Sequence, residues 1–226
     1  MTINKIALVE ESRSKERYSK CILQKILSQL EYTDGRILDC GCGYGFWTKR
    51  LESYCEFIVG MDVRDIFVRD KISSKLDFAL ASGYQLPFSD ESFKCVVLFD
   101  VLEHIENAFD VLREIHRVLE KGGYLMLTVP NKDRLAHRIK KFMGRSVEYP
   151  LRLAIDHYTP EDTQEQWHFR EYSRQDLIES LRRNFEVQFI EGVWLGLGGK
   201  GIGTFPPILE GFAQIWLAKA VSRLIE

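Results

Sequence analysis

The chain has 226 residues, 45% of them hydrophobic and 28% charged, with a formal net charge of −2. That length supports one α/β core, and a pI of about 6.3 argues against the overall basic field of a nucleic-acid-binding protein. No run approaches the roughly 20 apolar residues of a membrane-spanning helix. Residues 1–11 lack the pattern of a secretory signal, and none of the five cysteines forms a C-x-x-C pair, so the expected location is a reducing cytoplasm, with no metal site.

In chain order, Ser14 to Leu30 carries apolar residues at helical spacing, and Asp34-Gly35 reads as the turn that follows. Arg36 to Cys40 is a short apolar strand that stops at glycines. Phe46 to Tyr54 reads as a helix, Glu56 to Met61 as a second strand ending at Asp62, and Arg64 to Ser73 as a charged helix. Asp77 to Ala81 is a third strand, and Cys95 to Phe99 has the unbroken apolar character of a strand covered on both faces. Ala108 to Glu120 lines up Val111, Leu112, Ile115, Val118 and Leu119 on one helical face, with Gly122-Gly123 as its stop. Tyr124 to Val129 is a fifth strand, closed by Pro130-Asn131.

Alternating strands and helices imply parallel pairing through right-handed crossovers. The fold class is therefore α/β, a doubly wound, mostly parallel sheet with its ligand beyond the carboxyl ends of the strands. Ser173 to Asp176 resembles a capping box opening a further helix, and Phe185 to Ile190 reads as a sixth strand. Leu209, Phe212, Trp216, Ala220 and Leu224 recur at helical spacing, which predicts a terminal helix and leaves no clear seventh strand, unless Val193 to Leu197 rebuilds that edge. Such a helix would pack on the sheet, dimerise or meet a lipid interface.

The run I-L-D-C-G-C-G-Y-G from Ile37 to Gly45 carries the chemistry. Glycines at alternate positions let the backbone approach a ligand closely, and Asp39 just before them suits a cationic amine. Asp62, ending the second strand, can accept both ribose hydroxyls of a nucleoside, although a dinucleotide site also wants an acid near that position. The glycine spacing differs from the G-x-G-x-x-G of dinucleotide enzymes.

D-x-G-x-G-x-G resembles motif I of class I S-adenosylmethionine-dependent methyltransferases. Leu86 to Phe93 (L-P-F-S-D-E-S-F), Val96 to Ile105 (V-V-L-F-D-V-L-E-H-I) and Leu112 to Leu125 resemble the group of that family that modifies small molecules, lipids and quinones. The resemblance runs from about Arg36 to Asn131 and implies S-adenosylmethionine as cofactor, with S-adenosylhomocysteine as product. It further implies that Gly41, Cys42, Gly43 and Gly45 flank the methionine part, Asp62 holds ribose, Val63 packs on adenine, Ser82 and Gly83 face the adenine edge, and the Phe99 carbonyl receives the amino group. Ser82 stands where relatives often have aspartate, and Lys94 replaces another common aspartate.

The implied activity is methyl transfer to a small-molecule acceptor of lipid, quinone or sugar type. A non-catalytic S-adenosylmethionine-binding partner protein is the alternative, and an NAD-dependent oxidoreductase a more distant one. Nucleic acid is not the expected partner, because no Asn/Asp-Pro-Pro-aromatic run follows the fourth strand; a homodimer and a peripheral membrane contact through the terminal helix are open. The whole chain, 1–226, reads as one domain: a cofactor core over 32–131, an acceptor-site cover over 132–172, and a remainder over 173–226. His104 and His168 are candidate catalytic bases, each balanced by a structural role, and His157 and Tyr158 lie in the same cover. Asp100, Glu103 and His104 share one turn, weak grounds for a metal. The basic residues Arg134, Arg138, Lys140, Lys141, Arg145 and Arg152 read first as a solvated face, and second as a surface for an anionic acceptor or membrane.

Overall fold

Alternation of buried apolar runs with polar turns produces a seven-stranded sheet flanked by helices in the computed structural model, which describes residues 20–30, 32–68, 73–152, 167–197, 200–202 and 205–223. The strands are β1 (Thr33–Cys40), β2 (Cys55–Asp62), β3 (Leu76–Leu80), β4 (Phe93–Phe99), β5 (Leu119–Pro130), β6 (Phe185–Val193) and β7 (Ile215–Ser222). Their order is β3-β2-β1-β4-β5-β7-β6. The first five run parallel, and β7 lies antiparallel between β5 and β6. The helices are α1 (Lys20–Ser28), α2 (Thr48–Leu51), α3 (Ala108–Val118), α4 (Leu135–Phe142) and α5 (Arg174–Leu181).

Successive residues of the central strands feed two separate apolar cores. In β4, Val96 and Leu98 join Val111, Leu112 and Ile115 of α3 and Leu177 and Leu181 of α5. Cys95, Val97 and Phe99 point to the other core, with Ile26 of α1, Trp47 and Leu51. Cys95 to Leu98 are fully excluded from solvent, which explains an apolar run without alternation. Ser173 caps α5: its hydroxyl accepts from the Asp176 N–H at 3.1 Å, and the Asp176 carboxylate accepts from the Ser173 N–H at 3.0 Å.

Several sequence expectations are corrected. The terminal helix is a strand, β7, in which Ile215, Trp216, Leu217, Ala218 and Ala220 are all buried between two neighbours. Its residues therefore offer no face to lipid, and the missing seventh strand is present. A 3-10 turn, Pro207–Phe212, precedes it. Val193 ends β6, while Leu195–Leu197 pairs with Lys200–Ile202 in a small hairpin outside the main sheet. Asp34-Gly35 lies inside β1 at a register irregularity. The helix expected over 46–54 is α2 plus one 3-10 turn, Glu52–Tyr54. Residues 64–68 are irregular rather than helical, and 69–72 lie outside the described residues, as does the start of the helix expected from Ser14. Gly122-Gly123 does not stop α3, which ends at Val118; the pair forms a bulge in β5 against β4, with Gly122 at φ +74°.

Candidate functional site

The carboxyl ends of β1, β2 and β4 meet at the glycine-rich turn. Gly41 and Cys42 both donate their N–H to the Met61 carbonyl, at 2.7 and 2.9 Å, so the turn curls from the tip of β1 across the tip of β2. All three glycines take positive φ, but for different reasons. A Cβ on Gly41 would lie 2.4 Å from a Val101 methyl, and one on Gly45 2.4 Å from the Phe67 ring. On Gly43 it would meet nothing within 4 Å. Two glycines thus permit packing, and the middle one borders open space.

Asp62 is buried at that tip. One carboxylate oxygen accepts from the Gly43 N–H at 2.9 Å and the other from the Arg64 N–H at 3.0 Å. A carboxylate has further lone pairs, so vicinal hydroxyls can add to these bonds. Asp39 is buried too, and accepts from the Thr48 hydroxyl at 2.6 Å. Desolvation pushes its carboxyl up to about 7; the Thr48 bond opposes this, and the neighbouring Asp62 charge adds to it. Thr48 opens α2, and sequence reading missed it; a hydroxyl in the helix that follows the turn was the available signal.

Cys42 is buried, with its thiol pushed well above the ordinary range by desolvation and the charges of Asp39 and Asp62, so it is inert lining and not a nucleophile. Val63 is exposed beside Asp62, as an apolar contact for a flat ring requires. Ser82 bridges to Gln85, and its hydroxyl accepts from the Tyr84 N–H at 3.3 Å. A Cβ on Gly83 would sit 3.3 Å from Val111. Phe99 is buried at the end of β4, its ring 4.7 Å from that of Trp47.

The segment after Ser82 is pinned from beneath by α3. Arg117 donates to the carbonyls of Leu86 (2.9 Å) and Phe88 (2.8 Å), and Glu114 accepts from the Leu86 N–H at 3.0 Å. Arg117 and Glu114 also pair with each other. The co-occurrence of L-P-F and R-E-I-H-R-V in the sequence thus has a physical basis: one motif clamps the other.

On the far side of the turn, the 3-10 turn Leu102–His104 brings His104 against His168, ring centroids 4.9 Å apart and nearly perpendicular. A short antiparallel strand pair, Leu151–Arg152 with Trp167–His168, is tied to that turn by the Phe169 N–H, which donates to the Glu103 carbonyl at 2.9 Å. Glu171 organises this side. It contacts His168 Nδ1 at 3.2 Å, accepts from the Tyr149 hydroxyl at 2.9 Å, and takes both Arg134 terminal nitrogens in a fork. Burial alone would raise its pKa, but the bonds from His168, Arg134 and Tyr149 outweigh this and hold it near about 2. An ionised carboxylate only accepts, so His168 carries its proton on Nδ1 and Nε2 is its basic nitrogen.

Glu103, His104 and His168 each offer a ligand atom within 4.8 Å of the others, a donor set able to take a divalent cation. The triplet weighed from sequence included Asp100 in place of His168; Asp100 instead accepts from the Thr128 hydroxyl at 3.1 Å. His157 and Tyr158 lie outside the described residues. Among the described residues no helix is long and apolar enough to cross a membrane.

Known proteins share part of this sequence and its fold. A family model described as a methyltransferase domain matches residues 38–127. A probable S-adenosylmethionine-dependent methyltransferase of Mycolicibacterium smegmatis is 28% identical over 72% of this chain and 56% of its own length. The mitochondrial ubiquinone biosynthesis O-methyltransferase of Candida albicans is 29% identical over 81% of this chain and 58% of its own. The chain spans about half the length of the curated relatives it matches. A crystal structure of a methyltransferase from Methanosarcina mazei shares the fold with a TM-score of 0.65 at 21% identity, covering 88% of this chain and 98% of that one. Residues 38–127, which carry the glycine-rich turn and most of the parallel strands, therefore match a methyltransferase domain, in a fold shared with a solved S-adenosylmethionine-dependent methyltransferase.

Proposed function

We propose that the chain transfers a methyl group to a hydroxyl-bearing small molecule of lipid, quinone or sugar type. When bound, S-adenosylmethionine supplies an electrophilic methyl on a sulfonium whose departure leaves a neutral thioether. Asp62 would hold the ribose hydroxyls, with Val63, Ser82 and Gly83 bordering the adenine. Gly41, Cys42, Gly43 and Gly45 would flank the methionine part, and Asp39 and the Phe99 carbonyl would receive its amino group. The donor is activated already, so alignment is the protein's main contribution, for which about 7–11 kcal/mol is available in favourable systems.

A hydroxyl must lose its proton as it attacks. His168 takes that role in this reading, because Glu171 fixes its tautomer and leaves Nε2 to accept, while His104 contacts the acceptor from the adjacent turn. The observation that carries the reading is this pairing of an oriented histidine with a second, more open one just beyond β4. Candida albicans ubiquinone O-methyltransferase, which by name methylates oxygen, supports an oxygen acceptor.

The test is product formation with S-adenosylmethionine across a panel of catechols, quinols, sterols and glycolipids, for the wild type and for H168A and H104A. The expected outcome is S-adenosylhomocysteine release with one acceptor class, with kcat reduced about 100-fold or more in H168A and KM chiefly raised in H104A. Tight cofactor binding without turnover on any class would favour the non-catalytic partner protein.

A further inference from the structure

Helix α4 is amphipathic in the wrong sense for a helix that only covers a core. Its one buried residue is His137, whose Nδ1 lies 3.0 Å from the Lys132 carbonyl. Ile139, Phe142 and Met143 lie roughly 140–240° around the helix from His137, at i, i+3 and i+4 spacing that gathers them on one outward face. Phe142 is 94% exposed, Met143 62% and Ile139 42%. The Arg138 guanidinium stacks 4.7 Å over the Phe212 ring and sets α4 beside the turn Pro207–Phe212, where Ile208 is 84% exposed. Four large apolar side chains therefore face outward from two adjacent elements.

Charge identifies what they meet. From Arg134 to Val147 the chain has five Arg and Lys residues and no acidic residue, although the whole chain carries −2. Arg134 is spent inward on Glu171, while Lys140 and Lys141 are exposed on the two flanks of α4, between the apolar face and the His137 side, and Arg145 is exposed just past its end. A second copy docking through this face would oppose the same lysines across a two-fold axis, at a repulsive cost. An anionic lipid surface satisfies both features: the apolar side chains enter the acyl boundary, and the cations meet the headgroups.

We propose that α4 and the Ile208 turn dock the protein on anionic membrane surfaces. This does not rest on the methyl-transfer reading. It replaces the C-terminal segment, now the buried strand β7, as the membrane-facing element.

The experiment is co-sedimentation with vesicles of phosphatidylcholine alone and of phosphatidylcholine mixed with phosphatidylglycerol, for the wild type, F142D and the double variant K140E/K141E. Thermal melting checks that each remains folded, as the exposure of all three positions predicts. The wild type should partition onto the mixed vesicles about tenfold or more better than onto the neutral ones, and high salt should erase the difference. K140E/K141E should lose that preference, and F142D should weaken binding to both. Equal partition of wild type and variants, or none by the wild type, would overturn the proposal. So would a wild-type dimer in sedimentation velocity that F142D dissociates, since the face would then belong to a second copy.

Discussion

Asp39 and Glu171 are both buried at the carboxyl edge of the sheet, yet they are held in opposite ways. Asp39 has one strong donor, Thr48, and an acidic neighbour, so desolvation prevails and its carboxyl rises to about 7. Glu171 has a guanidinium fork, a tyrosine and a histidine, and is held near about 2. The two regions therefore do different work. The Asp39 side is left short of positive charge, a state that suits a cationic ligand; the Glu171 side is satisfied from within and serves to hold the cover in place.

The largest test of that contrast is E171A against D39N. Removing Glu171 strands Arg134 in a poorly solvated site and should cost about 3–5 kcal/mol. Asp39→Asn should change stability by less than about 1 kcal/mol, yet weaken S-adenosylhomocysteine binding about tenfold or more through the lost charge-assisted bond. Urea unfolding and calorimetry separate the two. If D39N proved the more destabilising, the division of roles would be wrong.

The glycine turn sharpens the same comparison. Gly41→Ala combines left-handed strain with a clash at Val101 and should cost about 2–4 kcal/mol. Gly43→Ala meets no such wall and should cost only about 1–2 kcal/mol, with its main effect on ligand affinity.

Acid should expose Glu171. Its folded pKa lies below its unfolded value, so the stabilisation is complete above the ordinary glutamate value of 4.5 and is lost as pH falls from there toward about 2. The shift corresponds to about 3 kcal/mol, to be read from urea midpoints along that range. In E171A the decline should be much shallower.

The smallest expected effect concerns Asp39 and has the opposite pH sense. Its folded pKa is raised, so the protonated form dominates below about 7. A ligand ammonium favours the ionised form, so binding below that pH must release a proton. S-adenosylhomocysteine affinity should therefore rise by about tenfold in total on the acid side, level off above about 7, and be flat in D39N.

Much of the first region was legible in the sequence. β1, β2 and β4 are apolar runs that end at a glycine or an acid, and the turn between Asp39 and Gly45 declares itself by spacing. β7 was not legible. Trp216 and Ala220 fall at helical spacing, and a strand buried on both faces shows no alternation to contradict it. The Glu171 cluster was invisible for a different reason. His168 stands only three residues before Glu171, but Arg134 and Tyr149 are joined to it only by tertiary structure, and the Glu103–His168 juxtaposition spans a separation that no local pattern encodes.

If the turn and Asp62 form a site for S-adenosylmethionine and not for a dinucleotide, the ligands themselves will discriminate. Calorimetric titration with S-adenosylmethionine, S-adenosylhomocysteine and NADH, in the wild type and in D62A with its unfolding midpoint checked, tests it most directly. Both sulfur nucleosides should bind the wild type, the variant should lose them, and NADH should bind neither. Binding of NADH alone would contradict it.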